Sequence, residues 1–335
     1  MLMKLPVGLK WAASSRMQYY IASRLLQTIP LLIGASILVF GLIRLLPGDA
    51  ADALAGPDAP PELSQIVREQ WGLDKPIVVQ YGTWVSNMVK GDFGQSYISR
   101  QPVFELLAER IPATVELAVA ALFIAVTVGI SAGVFAAINH GTKIESLITV
   151  STAVIVAVPG FWIGILAIYL FAQNLGWLPS GGRGSGVMSD PIEGLKYLLL
   201  PALIVSMNTA AVLSRVVKSS MLEVMREDYI RTAVSKGLNS RQVTMVHILR
   251  NAMVPVITII AIQAGNLLGG AVITESVFAW PGVGRLLIIS INARDYAVLQ
   301  AVIVTLALVF VFVNLVADII YALLDPRIRL GRSQG

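Results

Sequence analysis

Apolar residues in this chain come in long runs free of Asp, Glu, Lys and Arg, separated by short charged stretches. The runs cover 25–43, 117–138, 146–178, 197–214, 251–274 and 296–317. A helix needs roughly 20 apolar residues to cross the hydrocarbon of a bilayer, so the pattern predicts six membrane-spanning helices. The fourth run is marginal, and the third is long enough to tilt or to continue past the interface. The expected fold is all-α and polytopic, with segments at 1–24, a first helix at 25–44, a connecting segment at 45–111, a five-helix core at 112–321 containing the 215–250 connection, and a tail at 322–335.

Composition agrees with that class. Hydrophobic residues make up 56% of the chain and charged residues 13%, against about a quarter charged in an average soluble domain. With no cysteine, disulfide frameworks, thiolate metal sites and cysteine nucleophiles are all excluded. The net charge of +5 is what basic cytoplasmic loops produce, so no nucleic-acid partner is expected.

The basic residues also orient the chain. Segments 1–24, 139–145, 215–250 and 322–335 carry 4, 1, 7 and 3 Lys plus Arg, 15 in all. The three intervening segments carry 9, of which 5 fall in the long 45–111 stretch. Long loops translocate largely regardless of charge, so the useful comparison is 15 against 4, and both termini are expected in the cytoplasm. The first run follows Lys4, Lys10, Arg16 and Arg24 as a signal peptide would, but it is too long for an h-region and leads into Pro47-Gly48-Asp49. It is read as a retained first helix.

Outside the membrane, 45–111 is expected to hold short helices lying on the surface, too short a segment for an independent domain. The glycines of the 179–196 connection, Gly181, Gly182, Gly184 and Gly186, read as a flexible connector. A phosphate cradle is disfavoured, since neither Lys-Ser nor Lys-Thr follows them and no strand precedes them.

Within the runs, Gly129 with Gly133, Gly160 with Gly164 and Gly265 with Gly269 are spaced to let helix backbones approach closely. Pro30, Pro159, Pro201 and Pro255 are positioned to kink or interrupt helices. No charged residue lies mid-span; Glu116, Glu275 and Asp318 fall at or beyond span ends. A proton or sodium relay, which needs carboxylates deep in the bilayer, is therefore disfavoured. Asn208, Gln263, Asn266 and Asn314 are the polar residues inside the runs, candidates for lining a pore or for hydrogen bonding between helices.

Candidate catalysis is absent by inventory. His140 and His247 are the only histidines and have no carboxylate cluster at metal-ligand spacing, and no G-x-S-x-G, H-E-x-x-H or Walker A motif occurs. No catalytic residue, metal ligand or cofactor site is assigned to this chain.

The 215–250 connection reads as two short helices with a break. Asp228 is placed to cap the first, Tyr229, Thr232, Ala233 and Lys236 form its i, i+3, i+4, i+7 stripe, and Gly237 suits a left-handed stop. Ser240 is placed to cap the second. With no partner expected in its own chain, this hairpin either docks another protein or lays a basic face on membrane lipid.

Several blocks in order closely resemble the permease subunits of binding-protein-dependent ABC importers of the dipeptide, oligopeptide and nickel type. They are RLLQTIPLLIGASILVFGLIRLLPGD, GLDKPIVVQYGTWVSNMVKGDFGQSY, EDYIRTAVSKGL, LRNAMVPVIT, TESVFAWPGVGRLL and RDYAVLQA with DPRIR, across about residues 18–330. The resemblance implies a type I ABC importer permease fold in the bacterial inner membrane. It implies that this chain forms half of a translocation pore, with a second related permease, two ATPase subunits or domains that bind ATP and Mg, and an extracytoplasmic solute-binding protein. In such permeases the cytoplasmic hairpin is a coupling helix seated in a cleft of the ATPase. That implies a docking role for Asp228, Tyr229, Arg231, Thr232, Ala233, Lys236 and Gly237. The family's Glu-Ala-Ala, three residues, Gly motif falls on Arg231, Thr232, Ala233 and Gly237, where Ala233 and Gly237 match and Arg231 and Thr232 depart. Peptides, glutathione-like molecules, nickel chelates and opines are all substrates within the family. The competing reading is a secondary transporter or channel that works alone.

Overall fold

The computed structural model describes residues 23, 26–41, 60, 65, 68, 69, 72 and 74–324. The expected terminal segment 1–24 apart from Ser23, the tail 322–335 beyond Leu324, and most of 42–73 lie outside the described residues. The described residues are mostly helical: α1 Leu26–Gly41, α2 Ile77–Val89, α3 Val103–Ile138, α4 Lys143–Ala157, α5 Gly160–Ala167, α6 Pro191–Val224, α7 Asp228–Ser235, α8 Leu249–Val277, α9 Val283–Asn292 and α10 Tyr296–Leu324. The sole β feature among the described residues is an isolated antiparallel bridge between Gln95 and Pro102.

Against six expected spans stand four helical stretches long and apolar enough to cross a membrane, at Val103–Ile138, Pro191–Val224, Ser240–Leu267 and Tyr296–Ala317. A fifth is the pair Lys143–Ala157 and Gly160–Asn174, bent by 100°. Leu26–Gly41 is apolar but shorter. The bend has a local cause. Pro159 cannot donate a backbone hydrogen bond, and it drives the preceding Val158 to extended backbone at φ −94° and ψ 131°, so α4 stops there. Thr142 starts α4 by accepting from the amide of Glu145, whose carboxylate in turn accepts from Gly141, a form of capping box. Pro112, Pro201 and Pro255 are accommodated inside α3, α6 and α8.

Three expected boundaries move. α3 begins well before the apolar run at 117, absorbing the end of the 45–111 segment, and α6 continues ten residues past 214 to Val224. Two short helices were expected in 215–250, but only α7 is short. Helical backbone from Ser240 passes through a π-helical turn at Val243–Ile248 and runs on without a break as α8.

α3 and α6 run side by side in the same direction. A Cβ on Gly129 would lie 2.8 Å from the Ala210 carbonyl oxygen, and one on Gly133 would lie 2.6 Å from Cβ of Val217. Both glycines therefore permit a backbone approach that no larger residue allows. Gly164 faces Phe278 and Gly265 faces Asn314 and Phe310, whereas Gly269 has nothing within 4 Å. The core is layered along this pair. At one end Leu213, Val217 and Met221 pack with Ala137, Ile230, Ala233, Val243, Ile248 and Val256. At the other, Ala113 and Leu117 pack with Leu198, Ala202, Ala271 and Trp280, and Val103 and Leu107 with Val283, Leu286, Val298 and Val302. Val115, Val119 and Phe123 of α3 are exposed at four-residue steps, an outward apolar stripe suited to lipid.

Candidate functional site

At the end of the bundle that carries the basic 215–250 connection, α7 crosses between the tips of α6 and α8. Its cap differs from expectation. Glu227 is the N-cap, with no side-chain cap bond, and Asp228 is the first helical residue, its carboxylate reaching Arg231 at 3.4 Å. Likewise Asn239, not Ser240, caps the next helix, accepting from the amide of Gln242 at 2.7 Å. In both cases the helix begins one residue earlier than the capping pattern implied, because Glu227 and Asn239 take the extended backbone that an N-cap requires. Gly237 does end α7 at φ +78°, with its amide bonded to the Val234 carbonyl.

The buried face of α7 is also not the predicted stripe. Ile230 and Ala233 are buried against Leu213, Val217, Met221, Val243 and Ile248 of the same chain, so, contrary to expectation, the hairpin has a partner in its own chain. Burying Ile230 contributes roughly 1.5–3 kcal/mol. Tyr229, Thr232 and Lys236 are exposed, with Asp228, Arg231 and Val234. Tyr229 is nevertheless fixed, its hydroxyl accepting from the Asn251 side-chain amide at 3.0 Å. α7 is thus a rigidly seated ridge whose outward face joins charged residues to two apolar side chains, Tyr229 and Val234.

Nearby, Lys218 of α6 pairs with Glu145 and donates to Thr149 at 3.1 Å, tying the start of α4 to α6.

The four intramembrane polar candidates divide. Asn208 on α6 and Asn266 on α8 are exposed, and Asn266 donates to Gln263 at 2.9 Å. Asn314 bonds the Phe310 carbonyl at 3.0 Å and lies against Gly265, between α10 and α8. On α8 the exposed positions Asn251, Val254, Pro255, Ile262, Asn266, Gly269 and Ile273 share one face, interrupted by the half-buried Thr258 and Ile259.

At the opposite end, Glu116, Glu275 and Asp295 organise the connections, a role that their positions at span ends and loops do not reveal. The 179–196 stretch expected to be a flexible connector is fastened down. Glu116 accepts from Arg183 Nε at 2.7 Å and from the Val187 amide at 3.0 Å, and Ser185 donates to Glu193 at 2.8 Å. Glu275, read as a span-end charge, is fully buried and accepts from Thr114 Oγ1 at 2.8 Å and from the Arg285 amide at 2.9 Å. Asp295 is buried with Ser96, whose hydroxyl donates to it. No group of three or more His, Cys, Asp or Glu that could hold a metal ion occurs among the described residues.

Comparison with known proteins places this arrangement. Residues 129–330 match the family model described as binding-protein-dependent transport system inner membrane component, and residues 17–118 match the corresponding N-terminal model. Over 329 residues the chain is 38% identical to a dipeptide transport system permease protein of Alkalihalophilus pseudofirmus, covering 92% of this chain and 99% of that one. It is 41% identical over 310 residues to a glutathione transport system permease protein of Escherichia coli, and 42% identical over 309 residues to a putative peptide transport system permease protein of Brucella abortus. Both alignments cover 92% of this chain and 98% of the relative. In fold it resembles the inward-facing MetNI methionine ABC transporter, with a TM-score of 0.55 at 17% identity over 66% of this chain and 96% of that one. The chain belongs to the family of inner membrane components of binding-protein-dependent transport systems, and it is a multi-pass permease subunit of an ABC importer.

Proposed function

We propose that this chain forms half of the translocation pore of an importer for short peptides or related small solutes, driven by ATPase subunits that grip α7. The observation that carries this is the seating of α7. Ile230 and Ala233 lock it to α6 and α8 while Asp228, Tyr229, Arg231, Thr232, Val234, Lys236 and Gly237 face outward, so force applied to that face is transmitted to two spans. ATP and Mg belong to the partner subunits, and a second related permease covers the exposed stripe of α8, where Asn266 stands among apolar neighbours, and Asn208 is the exposed polar residue of α6. The permease relatives named for dipeptides, glutathione and peptides support the solute class. The excess of Lys and Arg at the α7 end supports its lying in the cytoplasm with both termini, leaving the Glu116 and Glu275 end to meet a solute-binding protein.

The test is reconstitution in liposomes with the second permease, the ATPases and the binding protein, using a labelled dipeptide. Uptake is expected only with ATP inside the compartment reached by α7. Uptake by this chain alone under an ion gradient would overturn the reading. A reporter fused after Gly335 is expected to be active in the cytoplasm and one at Gly184 outside.

A further inference from the structure

The first turn of α9 is capped by two other helices. Its N-cap position is Gly282, which has no side chain to offer. The amide of Val283 instead donates to Thr114 Oγ1 of α3 at 2.8 Å, and the amide of Arg285 donates to Glu275 of α8 at 2.9 Å. Thr114 closes the set by donating its own hydroxyl to Glu275. A Cβ on Gly282 would run into the Glu275 carboxylate, so glycine is required there for the carboxylate to fit. The side chains around this knot secure it further. Trp280, fully buried, donates its indole N–H to the Ala113 carbonyl at 2.8 Å, and Arg285 donates to the Ala279 carbonyl at 2.8 Å.

Glu275 sits in the last turn of α8, and α8 is continuous with the helix that starts at Ser240 beside α7. Residues 240–277 therefore make one continuous helical stretch, through the π-helical turn and Pro255, with a contour of roughly 55 Å at 1.5 Å per residue. Its near end packs on α7 through Val243 and Ile248, and its far end carries the cap of α9.

We propose that Glu275 and Thr114 are positioning residues for transport, fastening α9 to the last turn of α8 and to α3 so that a displacement imposed at α7 reaches the opposite face as a movement of α9. This rests on the reading that ATPases act on α7. Backbone amides at a helix start are strong directional donors to a carboxylate, and they fix the register of α9 in a way that the apolar contacts of Val283 and Leu286 do not.

The experiment uses Thr114→Val, which removes the hydroxyl and keeps the branched shape, with Glu275→Gln and the conservative Thr114→Ser. In the reconstituted complex, Thr114→Val and Glu275→Gln are expected to retain the ATPases and basal ATP hydrolysis. Dipeptide moved per ATP should fall about tenfold, within the range of a coupling energy between sites, and Thr114→Ser should restore it. Wild-type transport per ATP in both variants would overturn the proposal. A second arm needs no ATPase. The chain lacks cysteine, so spin labels can be placed on cysteines introduced at Ile289 of α9 and Val119 of α3, both exposed. One narrow distance is expected in the parent and in Thr114→Ser, and a broad distribution in Thr114→Val and Glu275→Gln. Unchanged narrow distances in the last two would overturn the proposal. Failure of the parent complex to couple uptake to ATP would instead count against the docking of ATPases at α7.

Discussion

The amide of Gly182 donates to the carbonyl of Phe278 at 2.8 Å, joining the connection before α6 to the one before α9. A Cβ on the neighbouring Gly181 would collide with that same carbonyl oxygen. Gly181→Ala is expected to pry the two connections apart, costing about 1–3 kcal/mol, the usual range for overpacking. Hydrogen exchange at Gly182 and Val187 reports it, since both amides are hydrogen bonded in the parent. Unchanged protection would show that the contact is not needed.

Packing of α3 on α6 gives a second prediction with an internal control. Gly133→Val meets Cβ of Val217 and the Ser214 carbonyl, with no flexible group to yield, whereas Gly269→Ala enters open space. The first should destabilise the detergent-solubilised protein, again by about 1–3 kcal/mol, read as a lower thermal midpoint, and the second should leave the midpoint in place. Equal midpoints would remove Gly133 from the packing account.

Ala233 and Val234 separate folding from docking. Ala233 is buried in the chain's own core, while Val234 is 58% exposed. Ala233→Trp is expected to destabilise this chain, and Val234→Glu to leave its midpoint unchanged while reducing co-purification of the ATPases. Gly237→Val has room for a side chain but must hold φ +78°, which costs about 1–2 kcal/mol. Normal recovery of the ATPases with Val234→Glu would take the outward face of α7 out of the docking surface.

The polar residues in the membrane should behave as two classes. Asn208→Ala and Asn266→Ala, at exposed positions, are expected to alter the relative uptake of different dipeptides without loss of stability. Asn314→Ala, between α10 and Gly265 of α8, is expected to alter stability and leave the order of substrates alone. Competition assays with a panel of dipeptides, set beside thermal midpoints, distinguish the classes. Altered preference in Asn314→Ala with unchanged preference in the other two would reverse the assignment.

Hydropathy along the chain determined where the apolar helices lie, because crossing hydrocarbon forces every backbone group into local helical hydrogen bonds. Gly237 as a helix stop and Gly129 with Gly133 as an approach surface were equally readable, since φ limits and four-residue spacing act within a turn or two. Pro159 was legible as an interruption, though not as a 100° bend. What the tertiary structure decided lies between distant residues. That α7 turns Ile230 and Ala233 inward depends on where the tips of α6 and α8 come to rest. Tethering of the glycine-rich 179–196 connection depends on Glu116, 67 residues before Arg183. Glu275 looks like an ordinary charge at a helix end until Thr114, 161 residues away, is brought beside it. Hydrogen-bond geometry is short-ranged, so only the packed bundle could say which donors would meet that carboxylate.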